Sequence, residues 1–161
     1  MLKQTLAVLL IVSATACSQM QAAGSRPAQT QSQAAMTTHT VDSKYSFNDT
    51  VSRLQNAMQS KGMTVFTVID HQAAARKHGL SMQPAKVIVF GTPKVGTLLM
   101  VKDPAFALQL PLRVLVTENG GKVQVVFNDT RRLISGSKIE YAEVENTLAN
   151  AERLIRATVS Q

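Results

Sequence analysis

The chain has no tryptophan, two tyrosines and five phenylalanines among 161 residues. Proteins that read single-stranded nucleic acid stack bases on exposed rings, so this small supply of rings argues against that class. Cysteine occurs once, at Cys17, so no internal disulfide can form and the fold must rest on packing. No apolar run approaches the roughly 20 residues of a membrane-spanning helix; the longest, Leu6 to Val12, has seven. A stripe of one charge is also missing. The net charge is +7, but the cations are spread along the chain and the densest short cluster is Arg131-Arg132. That distribution suits a solvated basic surface, or loose association with anionic lipid or wall polymers, better than a nucleic-acid footprint.

What is present begins with an export signal. Lys3 supplies a positive start, Leu6 to Val12 a short apolar stretch, and Ser13-Ala14-Thr15-Ala16 a small-residue box immediately before Cys17. This order is similar to a lipoprotein signal. It implies cleavage after residue 16, lipidation of Cys17 and attachment to a membrane through acyl chains, which anchor firmly when two or three are present. Ala14 replaces the leucine usual at that position, and ordinary cleavage after Ala16 is the alternative. Ser18 follows the cysteine rather than an aspartate, which favours the outer membrane, facing the periplasm. Residues 18–38 are rich in Gln, Ala, Ser and Thr and have no apolar period, so they read as a tether. A flexible chain of that length reaches about 25 Å. The division expected is therefore signal 1–16, lipidated Cys17 and linker 17–38, and one domain 39–161.

Within the domain, Ser46-Phe47-Asn48-Asp49 opens a helix whose apolar face is Phe47, Val51, Leu54 and Met58, closed by Gly62. Residues 63–69 and 86–90 are β-branched and read as strands. Asp70 to His78 is a short Ala-rich helix. Gly96, Pro104 and Pro111 cut residues 94–111 into short helical turns. Residues 112–117 and 122–127 alternate as a hairpin, with Asn119-Gly120 expected in the turn. A long helix from about 139 to 159 closes the chain, with Val144, Leu148, Ala151 and Ile155 as its stripe. The mixture predicts an α+β domain: a small, mostly antiparallel sheet packed against helices on one face.

The specific residues concentrate between Gly62 and Pro111. Ile69-Asp70-His71, Ala75, Gly79-Leu80, Phe90-Gly91-Thr92-Pro93, Gly96-Thr97, Leu99-Met100 and Leu110-Pro111-Leu112 follow in order. This succession resembles the bacterial and archaeal family called domain of unknown function 302, over about residues 40–130. The resemblance implies a small α+β fold of the TBP-like type and no established activity. Thr92 stands where the family usually has Asn, and Gln109 where it usually has an acid.

Asp70 fits a helix N-cap. His71 then falls in the first helical turn, where an imidazole can accept a proton or ligate a metal. His78, seven residues on, is about 10 Å away along a helix and cannot share its ion. Met100 with His71 would form a soft copper site only if the fold brought them together; His39 falls in the tether region and reads as solvated. No metal-ligand spacing, phosphate loop or nucleophile elbow is present, and Ser135-Gly136-Ser137 lacks the context of one. The sequence therefore points to no metal and no cofactor. The leading expectation is a non-enzymatic envelope module binding a small molecule or partner. Asp70, His71, Phe90, Gly91, Pro93, Gly96, Thr97 and Met100 are expected to converge at its pocket. An enzyme using His71 as acid-base, and a structural or stress-related lipoprotein working by protein contact, with itself included, are the alternatives.

Overall fold

The computed structural model describes residues 38–161. The export signal, Cys17 and all of the tether except Thr38 lie outside the described residues. Five strands form one antiparallel sheet in the order β1-β5-β4-β3-β2. The strands are β1 (Thr38–Asp42), β2 (Thr64–Asp70), β3 (Ala85–Gly91), β4 (Leu112–Asn119) and β5 (Lys122–Asn128). The helices are α1 (Phe47–Ser60), α2 (His71–Lys77), α3 (Pro93–Lys102), α4 (Thr130–Leu133), α5 (Tyr141–Val144) and α6 (Leu148–Ser160), and Pro104–Gln109 is a 3₁₀ helix. The α+β class read from the sequence is the class observed.

The period-2 pattern explains the layering. Ile88 and Phe90 of β3, Val114 and Val116 of β4, and Val125 and Phe127 of β5 point to one face. There they meet Val51, Leu54 and Met58 of α1 and Ala151, Ile155 and Val159 of α6. Ser46 caps α1, its Oγ accepting from the Asp49 amide at 3.3 Å, and Gly62 leaves the helix at φ 72°. A second, smaller core gathers Leu99, Phe106, Leu133, Ile134, Ile139, Val144 and Leu148 at the end of the sheet. Asp103, which caps the 3₁₀ helix by accepting from the Ala105 amide, also accepts from the Lys138 amide at 3.0 Å and ties two loops of this core together.

The structure departs from the sequence reading in four places. Thr38–Asp42 is a strand paired to β5, with His39 opposite Phe127, where the sequence reading ends the linker at 38, predicts no strand and leaves His39 solvated. Residues 93–102 form one ten-residue helix instead of short turns. The hairpin turn is Gly120-Gly121, at φ 57° and 78°, because Asn119 pairs with Lys122. The last helix is two helices: Val144 must enter the small core while Ala151 and Ile155 enter the large one, and the chain breaks at residues 145–147 to serve both. Arg153 Nη2 satisfies the Glu145 carbonyl that the break exposes, at 2.8 Å.

Candidate functional site

β3 runs straight into the site. Phe90 is its last core residue, Gly91 ends it, and Pro93 takes the first turn of α3, where the missing N–H costs nothing. The start of α3 therefore stands against the end of the sheet. Between α3, the Leu110–Leu112 segment, the start of β2 and α6 is a cavity of about 700 Å³, in the range that holds a drug-sized molecule. Its wall is mainly apolar: Met63, Phe66, Phe90, Met100, Leu110 and Leu154 contribute most of the bulk. Asn146, Thr147 and Asn150 give polar points on the α6 side.

A β-bulge shapes the wall. Val65 pairs with Phe90 and Thr67 with Val89, so Phe66 is an extra residue with no partner. Val65 and Val68 both pack on the core although three apart, which requires the bulge. Phe66 is thereby turned to the sheet end, 51% exposed, where its ring lies 3.7 Å from the point a Gly91 Cβ would occupy.

Among the described residues, the only charged ones in the lining are Lys61 and Arg153. Neither is within ion-pair distance of a carboxylate among the described residues. Arg153 is held in place instead by Asn150 Oδ1 at 3.0 Å and the Glu145 carbonyl. Among the described residues the cavity thus has an apolar interior, two cations without a carboxylate partner and no acid.

Of the residues singled out from sequence, Phe90, Gly91, Pro93, Gly96, Thr97 and Met100 line this cavity. Asp70 and His71 do not. β2 pairs Thr64 with Gly91 at the cavity end and Asp70 with Lys86 at the other, six residues or about 20 Å away along a strand. Asp70 does cap α2, accepting from the Ala73 amide at 2.8 Å. That hydrogen bond first, then the charge of Lys86 at 3.6 Å, holds its carboxyl below the usual aspartate value. His71 is exposed at the start of α2 and His78 is exposed at its end. Met100 and His71 therefore make no common site. Phe66, Lys61 and Arg153 are not legible as site residues in the sequence: the first lies inside a β-branched strand, and no local spacing joins the two cations to the cavity.

His39 is likewise misplaced by the sequence reading. Its Nε2 lies 2.9 Å from Asp129 Oδ2 and 3.4 Å from Glu152 Oε2, a His-carboxylate group that no local spacing announces. Strand pairing and the docking of α6 bring positions 39, 129 and 152 together.

The family described as "Domain of unknown function DUF302" matches residues 39–158. The chain belongs to this family. A solved DUF302 structure, "Crystal structure of uncharacterized conserved protein DUF302 from Bacillus stearothermophilus", superposes with a TM-score of 0.66 at 20% identity, covering 78% of this chain and 98% of the other. That likeness establishes the fold. The chain is also 43% identical over 91 residues to proteins named "Fluoride-specific ion channel FluC 1" from Brucella suis and Brucella abortus. The match takes in 56% of this chain and 36% and 34% of those proteins, so the chain spans about a third of their length. In this DUF302 domain, Thr92 lines the cavity whereas Gln109 is exposed outside it, so only the first of the two departures from the family pattern touches the site.

Proposed function

We propose that this DUF302 domain is a membrane-tethered binding module whose cavity takes the apolar body of a small anionic amphiphile. The observation that carries the reading is the cavity itself: about 700 Å³, walled by apolar side chains, with Lys61 and Arg153 as its only charges among the described residues. Apolar burial contributes roughly 25 cal/mol per Å² to binding, while the two cations select the sign of the head group. A cationic or neutral amphiphile gains the first and not the second.

Two further observations support a lipid-facing role. Leu98, Val101 and Leu108 are 66%, 76% and 83% exposed on α3 and the following 3₁₀ helix, beside cavity residues Thr97 and Met100. Exposed apolar side chains grouped in this way mark contact surfaces. The tether reading of residues 17–38 would hold this surface near a membrane. In the Brucella relatives a similar segment belongs to proteins named as fluoride-specific ion channels. No described helix of this chain is long and apolar enough to cross a membrane.

The test is calorimetric titration with dodecanoate, dodecanol and dodecyltrimethylammonium below their micelle concentrations. The carboxylate should bind at least tenfold more tightly than the other two, and Arg153→Ala or Lys61→Ala should erase most of that preference. Equal affinity for all three, or none, would refute the reading.

Self-association has its own observation. On the sheet face away from α1 and α6, Ile69, Val87, Leu115 and Val126 stand in one row across four strands, with Ile69 44% exposed. Light scattering over a concentration series tests whether a second copy covers it.

A further inference from the structure

We infer that His39, Asp129 and Glu152 form a binding site for one divalent transition-metal ion, separate from the apolar cavity. Each comes from a different element: His39 from β1, Asp129 from the corner between β5 and α4, Glu152 from α6. One donor atom of each lies within 4.8 Å of the others. The separations from Nε2, 2.9 Å to Asp129 and 3.4 Å to Glu152, are those of donors that can share one ion. Donors about 2.0–2.2 Å from a common ion stand roughly 3.0–3.5 Å apart in four- or six-coordinate geometry.

The surroundings aim these donors. Asp129 accepts from the Arg132 amide through Oδ1, at 2.9 Å, which leaves Oδ2 turned to His39. Glu152 accepts from both the amide and the hydroxyl of Thr130 through Oε1, which leaves Oε2 turned to the same imidazole. Thr130 is buried. Each carboxylate is thus fixed by one oxygen and presents the other, the arrangement in which outer hydrogen bonds orient metal ligands. The His39 ring is held by packing on Phe127, centroids 5.5 Å apart.

Charge points the same way. Neither Asp129 nor Glu152 has a Lys or Arg ion-pair partner among the described residues, although the chain carries +7 overall. Two half-buried carboxylates share one imidazole, which carries at most one positive charge and cannot balance both. A divalent cation can. An imidazole with two carboxylates and no sulfur selects a borderline or hard divalent ion, such as zinc, cobalt or manganese, over soft copper(I). With three protein ligands, water would fill the remaining positions. On binding, the ion replaces the Nε2 proton, which leaves to solvent or moves to Nδ1.

The experiment is titration of the full-length chain in detergent with zinc chloride, followed by calorimetry and metal analysis, and with cobalt chloride, followed by visible absorption. The wild type should hold one zinc per chain, show cobalt d–d bands, and melt at higher temperature when loaded. His39→Leu, which keeps the strand and removes no capping hydrogen bond, should bind at least about tenfold more weakly and lose the cobalt bands. Glu152→Gln should do the same while keeping an acceptor for Thr130, and it serves if the leucine variant fails to fold. A wild type that binds no zinc overturns the site. So does unchanged binding in both variants, which would assign the ion to Cys17, His71 or His78.

Discussion

Asp103 shows how much one side chain can hold. It is 8% exposed and accepts from two backbone amides, Ala105 and Lys138, thirty-five positions apart in the second case. Hydrogen bonds to a charged acceptor contribute about 1.5–3 kcal/mol each. Asp103→Ala should therefore cost about 3 kcal/mol in urea unfolding, and Asp103→Asn less, since the amide oxygen still accepts one bond. Unchanged urea midpoints would mean that water replaces the carboxylate without loss. Gly96 makes the opposite case. A Cβ there would meet Leu110 Cδ1 at 3.4 Å and Met100 Cε at 4.0 Å, which is ordinary contact. Within a helix Gly is about 1 kcal/mol worse than Ala, so Gly96→Ala should leave the melting temperature equal or higher. The same methyl intrudes on the cavity, so amphiphile affinity should fall while stability does not. A parallel loss of both would show that the glycine serves packing.

At the scale of elements, the bulge at Phe66 gives the sharpest contrast. Deleting Phe66 brings Val65 and Val68 to the regular spacing of two and keeps both on the core. That deletion should fold, with a normal circular dichroism spectrum, and should lose amphiphile binding with the cavity wall. Deleting Val89 instead places Ile88 and Phe90 on opposite faces and should abolish cooperative unfolding. Elements with strong periods were legible: α1 through its spaced apolar face and Gly62, β3 to β5 through alternation. β1 was not. Thr38–Asp42 is five residues long, pairs on one side only, and follows a run of polar residues that hides its alternation. The break at 145–147 was invisible because positions 144, 148, 151 and 155 fit one helical stripe; only two separate cores disclose it. The cavity's turn was legible from Gly and Pro punctuation, but its cations and the His39 group arise from contacts across distant parts of the chain.

For the whole molecule, three carboxyls among the described residues are lowered by the fold and contribute to its response to acid. Gln124 and then Lys122 lower Asp42, the Ala73 amide and then Lys86 lower Asp70, and Lys102 and the Glu140 amide lower Glu143. A carboxyl lowered in the folded state stabilises it above the ordinary values of 3.8 for aspartate and 4.5 for glutamate, and ceases to as pH falls through the folded value. The contribution of these groups should leave melting temperature level between pH 7 and 5 and lower it below about 4. Asp70→Asn should make that acid decline shallower; an unaltered slope would remove Asp70 from the account. The sheet order has one more consequence, and it is mechanical. β1 is an edge strand, and any load carried by the chain before Thr38 enters the domain there. A pull along the strand must shear all its rungs together, whereas a pull across it unzips them singly, from Thr38 opposite Asn128 onward. His39 is the second rung, fastened to α6 through Glu152, so the fold meets a peeling force with its cross-linked position almost at once.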